Sequence, residues 1–444
     1  MKFISTRGQS STSTPPAVNF GAALAQGLAP DGGLYMPEAW PVIPLSAFDG
    51  ARSLPEVAEI MLRPFVADDP VAGEIGNIVR DAFDFPAPLV PVADGGKLSV
   101  LELFHGPTAA FKDFGARFLA ASLARIRQHA SHDKPLNILV ATSGDTGGAV
   151  AAAFHRRPGV MVSVLFPKGL VSPTQERQLT CWGDNVLSYR VNGTFDDCQQ
   201  LVKQAFVDEG LRSRFDLSSA NSINLGRLLP QAVYYAATSL AVHREHGVAP
   251  NFVIPSGNLG NSVACVWARK IGLPIGRIVL AHNVNRAVPD FLQSGEWRPR
   301  ASIPTLASAM DVGSPSNMER LRALFPDLDS LRGAVRAESV TDDEIRARIT
   351  SDFNRYGKTW CPHTATAAEV HARMPVSERS DGRWVLVSTA HPAKFHEIVQ
   401  PLIGQRIEMP ESLAKLFSRP VSCADLEPTL AALSGALGKS RVEK

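Results

Sequence analysis

The sequence predicts an α/β protein in which two doubly wound lobes face a shared cleft, preceded by a small N-terminal domain. Three observations carry that expectation. From about Leu98, short aliphatic or β-branched runs lead into glycine-containing turns and then into amphipathic stretches, the alternation that builds parallel βαβ units with helices on both sheet faces. Two of these turns, Ser143-Gly144-Asp145-Thr146-Gly147 and Pro255-Ser256-Gly257-Asn258-Leu259-Gly260-Asn261, lie far apart, one for each lobe. Residues 1–90 read differently, being rich in proline and glycine with turn signals such as Pro30-Asp31-Gly32-Gly33.

In chain order, residues 1–90 form the N-terminal domain, with helical spacing at Leu54 to Phe65. Residues 91–410 form the two-lobed region, its smaller lobe at roughly 100–220, a boundary left loose because one lobe can be inserted within the other. Within it, Phe114, Phe118, Ser122 and Ile126 recur every four residues, so a helix begins near Lys112. Strands are expected at Leu136 to Val140, Val160 to Phe166, Phe252 to Ile254, Arg277 to Ala281 and Trp384 to Val387. The charged stretch Phe325 to Phe353 reads as mostly helical, and Thr341 followed three residues later by Glu344 has capping-box spacing. Residues 411–444 read as a C-terminal helical segment, frayed from Gly438.

Composition bounds the function. At 444 residues the chain is long for one domain, and 45% hydrophobic with 20% charged residues is the balance of a protein with a core. A formal net charge of +2 leaves no Lys/Arg excess for wrapping nucleic acid or an anionic membrane. The five cysteines, Cys181, Cys198, Cys265, Cys361 and Cys423, form no CxxC pair and suit a reducing compartment. No apolar run reaches the ~20 residues that span a bilayer, and Met1 to Arg7 lacks the apolar core of a signal peptide. A cytoplasmic location is expected.

Four segments could carry chemistry. Lys112, in His105-Gly106-Pro107-Thr108-Ala109-Ala110-Phe111-Lys112-Asp113-Phe114, sits at a helix start between two phenylalanines. The helix dipole and apolar neighbours both favour a neutral amine, which a Schiff-base lysine needs; by itself the segment better suits a lysine whose stem packs on phenylalanine while its head reaches water. The Gly257–Gly260 turn can bring backbone N–H groups and a helix N-terminus to an anion, or be an ordinary βα turn. The Thr142-to-Gly148 turn offers hydroxyls and N–H groups to a second anion; Asp145 there would repel it, and faces a protonated group or caps its own helix. Thr389 follows the strand Trp384 to Val387 and can reach into the crevice at that strand end. The histidines do not cluster at ligand spacing, so no metal site is expected, and no G-x-S-x-G elbow is present.

Taken together these segments resemble the threonine synthase family, in its longer bacterial and fungal form. The N-terminal runs Met1 to Gly8 and Gly27 to Tyr35, the lysine motif Phe104 to Thr108 with Phe111-Lys112-Asp113, Phe166-Pro167-Lys168-Gly169, Gly193-Thr194-Phe195-Asp196-Asp197-Cys198, Asn221-Ser222-Ile223-Asn224, Arg227 and Leu229-Pro230-Gln231 carry the likeness across nearly the whole chain. The resemblance implies the architecture of fold type II pyridoxal 5'-phosphate enzymes. It implies that Lys112 carries the cofactor, that Gly257, Asn258, Leu259, Gly260 and Asn261 hold its phosphate, that Thr389 bonds its pyridine nitrogen, and that Asp145 lies at its edge. Ser143, Gly144 and Thr146 would meet the substrate carboxylate, and Asn224 and Arg227 its phosphate. Leu259 stands where the family suggests Phe, and Leu225-Gly226 replaces a bulkier pair before Arg227. The implied reaction converts O-phospho-L-homoserine and water to L-threonine and phosphate, by β,γ-elimination and addition of water at Cβ. A small-molecule substrate, no nucleic acid or membrane partner, and a monomer or homodimer are expected.

Two rival readings share these residues. A phospholyase or serine/threonine dehydratase of the same fold would release 2-oxobutyrate instead of threonine. A non-catalytic scaffold would have lost Lys112 or the loop glycines, and both are present.

Overall fold

The computed structural model describes residues 1–8, 15–93, 96–128, 134–142 and 144–439. Two short strands, β1 (Phe3–Ser5) and β2 (Tyr35–Pro37), pair antiparallel. The N-terminal region adds helices α1 (Phe20–Gln26), α2 (Leu54–Val66) and α3 (Ile75–Ala82). The start of α2 is set by sequence chemistry: Ser53 and Glu56 close a reciprocal capping box, with proline in the first turn.

Strands β3 (Leu89–Pro91) and β4 (Leu98–Glu102) lead into α4 (Lys112–Gln128). There follow β5 (Leu136–Ala141), α5 (Asp145–Phe154), β6 (Val160–Pro167), α6 (Pro173–Thr180), β7 (Val186–Val191), α7 (Phe195–Val207), α8 (Glu209–Arg214) and β8 (Asp216–Ser219). Next come α9 (Leu225–Leu228), α10 (Ala232–His246), β9 (Asn251–Pro255), α11 (Gly260–Lys270) and β10 (Ile278–His282), and the last three strands are β11 (Arg336–Ser339), β12 (Trp384–Ser388) and β13 (Ala424–Leu426).

These strands form two sheets. One is ordered β11-β10-β9-β12-β4-β3 and the other β13-β7-β6-β5-β8. Every pairing in them is parallel except β3 with β4. Strands β5, β6, β9, β10 and β12 are buried along their whole length. That is why they read as continuous apolar runs rather than alternating ones: helices cover both sheet faces.

Two strands depart from the sequence expectation. Arg336-Ala337-Glu338-Ser339, inside the stretch expected to be mostly helical, is edge strand β11, paired to β10 alone. Ala424–Leu426, in the segment expected to be helical, adds β13 to the edge of the second sheet beside β7. Neither carries an apolar pattern of its own, because an edge strand half open to solvent is specified by its neighbour. The expected helix start at Thr341 is present, with its capping box, before helix Asp342–Tyr356. Of the expected frayed tail, the residues after 439 lie outside the described ones. Among the described residues no helix is long and apolar enough to cross a membrane, and no His/Cys/Asp/Glu cluster could hold a metal ion.

Candidate active site

The two sheets meet at a cavity whose floor is the start of α4. The backbone before Lys112 is locked: Asp113 accepts from the Thr108 N–H at 2.8 Å and its hydroxyl at 2.7 Å, and Ala109 is held at φ 52°. Phe111 N–H donates to Thr389 O at 2.8 Å, stitching this loop to the segment after β12. Burial pulls the Lys112 amine down to about 8; Asp145 opposes that, while Lys394 and Arg227 add to it. The Phe111 ring lies 5.6 Å from the amine.

On the large-sheet side, β9 turns into α11 through Gly257, Asn258, Leu259 and Gly260, all of which line the cavity. The turn is tight. A Cβ on Gly257 would lie 2.8 Å from Met310 Cα, and Leu259 takes the left-handed conformation, φ 63°, which a branched side chain adopts only at a cost. Asn258 is pinned from both ends: its amide donates to Ser222 Oγ at 2.6 Å and its oxygen accepts from Ser316 N–H at 2.6 Å. Asn261 Oδ1 accepts from the hydroxyls of Tyr234 and Tyr235. Its NH2 is buried without a partner, as are Arg227 Nε and Asn221 Oδ1 in the same cavity wall. With the unpaired N–H groups of the first turn of α11, the Asn261 NH2 and Arg227 Nε form a donor-rich pocket, and Asn221 Oδ1 adds one acceptor.

The facing wall comes from the second sheet. Thr142 Oγ1 accepts from the N–H groups of Gly144 and Gly147, folding the turn after β5. Gly144, at φ 142°, is the N-cap of α5; a Cβ there would lie 2.5 Å from Gln175 Nε2. Asp145 therefore does not cap its own helix. Its carboxylate faces Lys394 Nζ at 2.8 Å. Burial alone would raise Asp145, yet Lys394 and Lys112 hold it well below the usual carboxylate range. His363, kept neutral by burial with its pKa down at about 4, also lines the cavity.

The comparisons decide the family. The pattern described as "Pyridoxal-phosphate dependent enzyme" matches residues 84–390, "Threonine synthase N terminus" matches 2–83, and "Threonine synthase, C-terminal" matches 364–436. The threonine synthase of Escherichia coli is 40% identical over 94% of this chain and 95% of its own. This chain belongs to the threonine synthase family. Among solved structures, a PLP-bound threonine synthase from Brucella melitensis superposes with TM-score 0.89 at 34% identity, covering 99% of each chain. Threonine synthase from yeast superposes with TM-score 0.90 at 28% identity, covering 100% of this chain and 99% of its own. The chain is accordingly a pyridoxal-phosphate-dependent lyase with the fold type II architecture.

The residues present fit that cofactor. Its phosphate ester needs clustered N–H donors, and the Gly257–Asn261 turn offers them with the unspent NH2 of Asn261. Its aldehyde needs a buried amine of lowered pKa, and Lys112 is one. Of the residues that sequence reasoning selected, Lys112, Asp145, Thr146, Arg227, Gly257 to Asn261 and Thr389 line one cavity. Ser143 lies outside the described residues, and Gly144 shapes the turn without lining the cavity. Asn224 is not brought to the cavity. It is fully buried as the cap of α9, its NH2 donating to Leu24 O and Ser219 O and its oxygen accepting from Gly226 N–H. Sequence reasoning did not select Asn221, Ser222, His363 or Lys394. The first two sit inside a run already quoted for its resemblance; His363 and Lys394 acquire meaning only from neighbours distant in the chain.

Proposed function

We propose that this cavity converts O-phospho-L-homoserine and water to L-threonine and phosphate as in the threonine synthase family, with Lys112 as its catalytic lysine. The observation that carries the residue assignment is the convergence in one cavity of a buried amine lowered to about 8, a turn of unspent N–H donors and the buried cation Arg227. When bound, pyridoxal phosphate supplies the electron sink for negative charge developing at the substrate carbons. The protein does the rest. Gly257, Asn258, Leu259, Gly260 and Asn261 would hold the cofactor phosphate, and the Thr389 hydroxyl, a neutral partner, would face its ring nitrogen.

Lys112 Nζ takes and returns protons at the substrate carbons; a group titrating near 8 can do both close to neutral pH. Arg227, drawn down to about 10 by burial yet still cationic, offers its unspent Nε to the leaving phosphate. The turn that carries Ser143 and Thr146, shaped by Gly144, would receive the substrate carboxylate, and Asp145 would stay at the cofactor's edge. Asn224 supports this set from behind, by capping the helix that carries Arg227. Apposition of the two lobes limits the access of bulk water to the cavity.

The organisation that goes with this reading is an N-terminal unit 1–90, a catalytic region 91–410 and a C-terminal segment 411–444, in a cytoplasmic monomer or homodimer. The test is direct. The purified protein should absorb in the visible and release equal amounts of phosphate and threonine from O-phospho-L-homoserine, and Lys112→Ala should lose all three. Phosphate with 2-oxobutyrate and no threonine would overturn the assignment in favour of a phospholyase.

A further inference from the structure

We propose that Lys394 is a positioning residue of this reaction: its ammonium, buried between the two lobes, fixes the ionised carboxylate of Asp145 at the cavity edge and through it sets the protonation of Lys112. Lys394 lies in the turn Pro392–Phe395, past the end of β12 in the large sheet. Asp145 opens α5, past the end of β5 in the other sheet. Their side chains meet at 2.8 Å with essentially no exposure. Lys394 also donates to Thr108 O at 3.0 Å, and that same carbonyl accepts from Gln178 of α6 at 3.1 Å. One ammonium thus ties together the loop that ends in Lys112, the segment that follows Thr389, and the helix start facing both.

A fully buried lysine persists only when paired, so the pair needs a reason to be retained where an apolar contact would serve stability as well. Its position supplies one. Lys394 is not in the cavity wall, whereas Asp145 is, so Lys394 touches the cavity through its partner and acts on Lys112 by its charge alone. Apart from Lys394, Asp145 has a weak contact from Gln175 Nε2 at 3.4 Å. The charged groups that act on Lys112 are Asp145, Lys394 and Arg227. Those that act on Asp145 are Lys394 and Lys112, and the titratable His363 beside them is held neutral by burial. The nearby carboxylate of Asp113 is spent on Thr108 and feels Lys394 and Arg117. Opposite charges at Lys394 and Asp145 therefore hold the Lys112 amine between two pulls of opposite sign.

The inference rests on Lys112 being the cofactor lysine, and its test does not depend on turnover. The full chain, freed of cofactor and carrying lysine labelled with 13C at Cε, is titrated by NMR, the Lys112 signal being assigned by its loss in Lys112→Ala. In K394M a cation that lowers Lys112 is gone and Asp145 has Lys112 as its remaining neighbouring lysine, so the Lys112 midpoint rises by about one pH unit or more. In D145N the opposing anion is gone and the midpoint falls. In the K394M/D145N double variant both pulls vanish and the midpoint returns toward that of the unaltered chain. In the loaded enzyme the acid limb of the kcat profile moves in the same three senses. Shifts of the same sign in both single variants, or a double variant no nearer the starting value, overturn the proposal. If K394M does not fold, a lowered midpoint in D145N with recovery in the double variant upholds it, and any other pair of values overturns it. Should the titrations behave as stated while the unaltered chain turns over no O-phospho-L-homoserine, the reaction assignment fails and the ion-pair inference stands.

Discussion

The glycines of the cavity differ in what they do, and the differences are testable one residue at a time. At Gly257 an added Cβ would meet Met310 Cα, a backbone atom that cannot swing aside. Gly257→Ala must therefore displace the turn that offers N–H donors to the cofactor phosphate. An overpacking cost of about 2 kcal/mol falling on that turn weakens cofactor binding by roughly 30-fold, readable as an equilibrium titration of visible absorbance. Equal affinity in the variant would mean that the turn does not bear on the phosphate. Gly115 presents a related case in α4: its Cβ would lie 2.4 Å from Arg227 O, so Gly115→Ala should push Arg227 from the cavity wall. That variant is expected to raise KM for O-phospho-L-homoserine at least tenfold while the cofactor still binds. The residues legible in the sequence were of this kind. Lys112 and the Gly257 turn announce themselves because a helix start, a glycine and an apolar neighbour are adjacent in the chain. Lys394 does not, since its partner Asp145 comes from the other sheet.

At the scale of elements, the N-terminal region is anchored to the site rather than appended to it. Arg320 is wholly buried, held low at about 9 by burial. It donates to Tyr35 O of β2, to Ser222 O and Ile223 O of the loop before α9, and to Asn317 Oδ1. Ser222 in turn holds Asn258 of the phosphate turn. Around it, Arg7 and Thr6 bond Glu319, and Leu24 O accepts from Asn224. Arg320→Met keeps the volume and strips the donors, leaving buried carbonyl groups short of partners. The expected cost is about 3 kcal/mol, seen as a lower denaturant midpoint, together with weaker cofactor binding because the Ser222 loop is released. Lost stability with unchanged cofactor affinity would confine Arg320 to holding the fold together. None of this could be read from the sequence, where Arg320 is one arginine in a charged stretch. The interior strands were legible because burial on both faces writes a continuous apolar run. The edges β11 and β13 were not, their place being set by the pairing groups of β10 and β7 rather than by their own side chains.

Over the whole molecule, the buried titratable groups set how the fold responds to acid, and their signs can be worked out. Burial lowers His363, His371 and His391 from an ordinary 6.5 to about 4, and His282 to about 3. Between those values and 6.5 the unfolded chain binds protons at these positions that the native chain does not. Stability from the four is therefore fully present above 6.5 and is lost as pH falls toward 4. Asp311 runs the other way. Burial, opposed by its bonds to Thr305 and Asn283, raises it from 3.8 to about 6, so between those values the native chain holds a proton that the unfolded one has released. Asp145, held below the usual range, loses its contribution only below 3.8 and stays out of this window. His155 is lowered and Asp113 raised, so they contribute in opposite directions. At pH 5 the four histidines minus Asp311 give a net uptake of about three protons on unfolding. The dependence of the calorimetric unfolding enthalpy on the ionisation enthalpy of the buffer measures that number, and the melting temperature should fall steadily from pH 7 to pH 5. In Asp311→Asn the opposing group is gone, so the uptake at pH 5 should rise to about four. An uptake near zero in the unaltered chain would mean that these histidines are charged in the native state. The neutral His363 of the cavity wall would then have to be replaced by a cation facing Lys112.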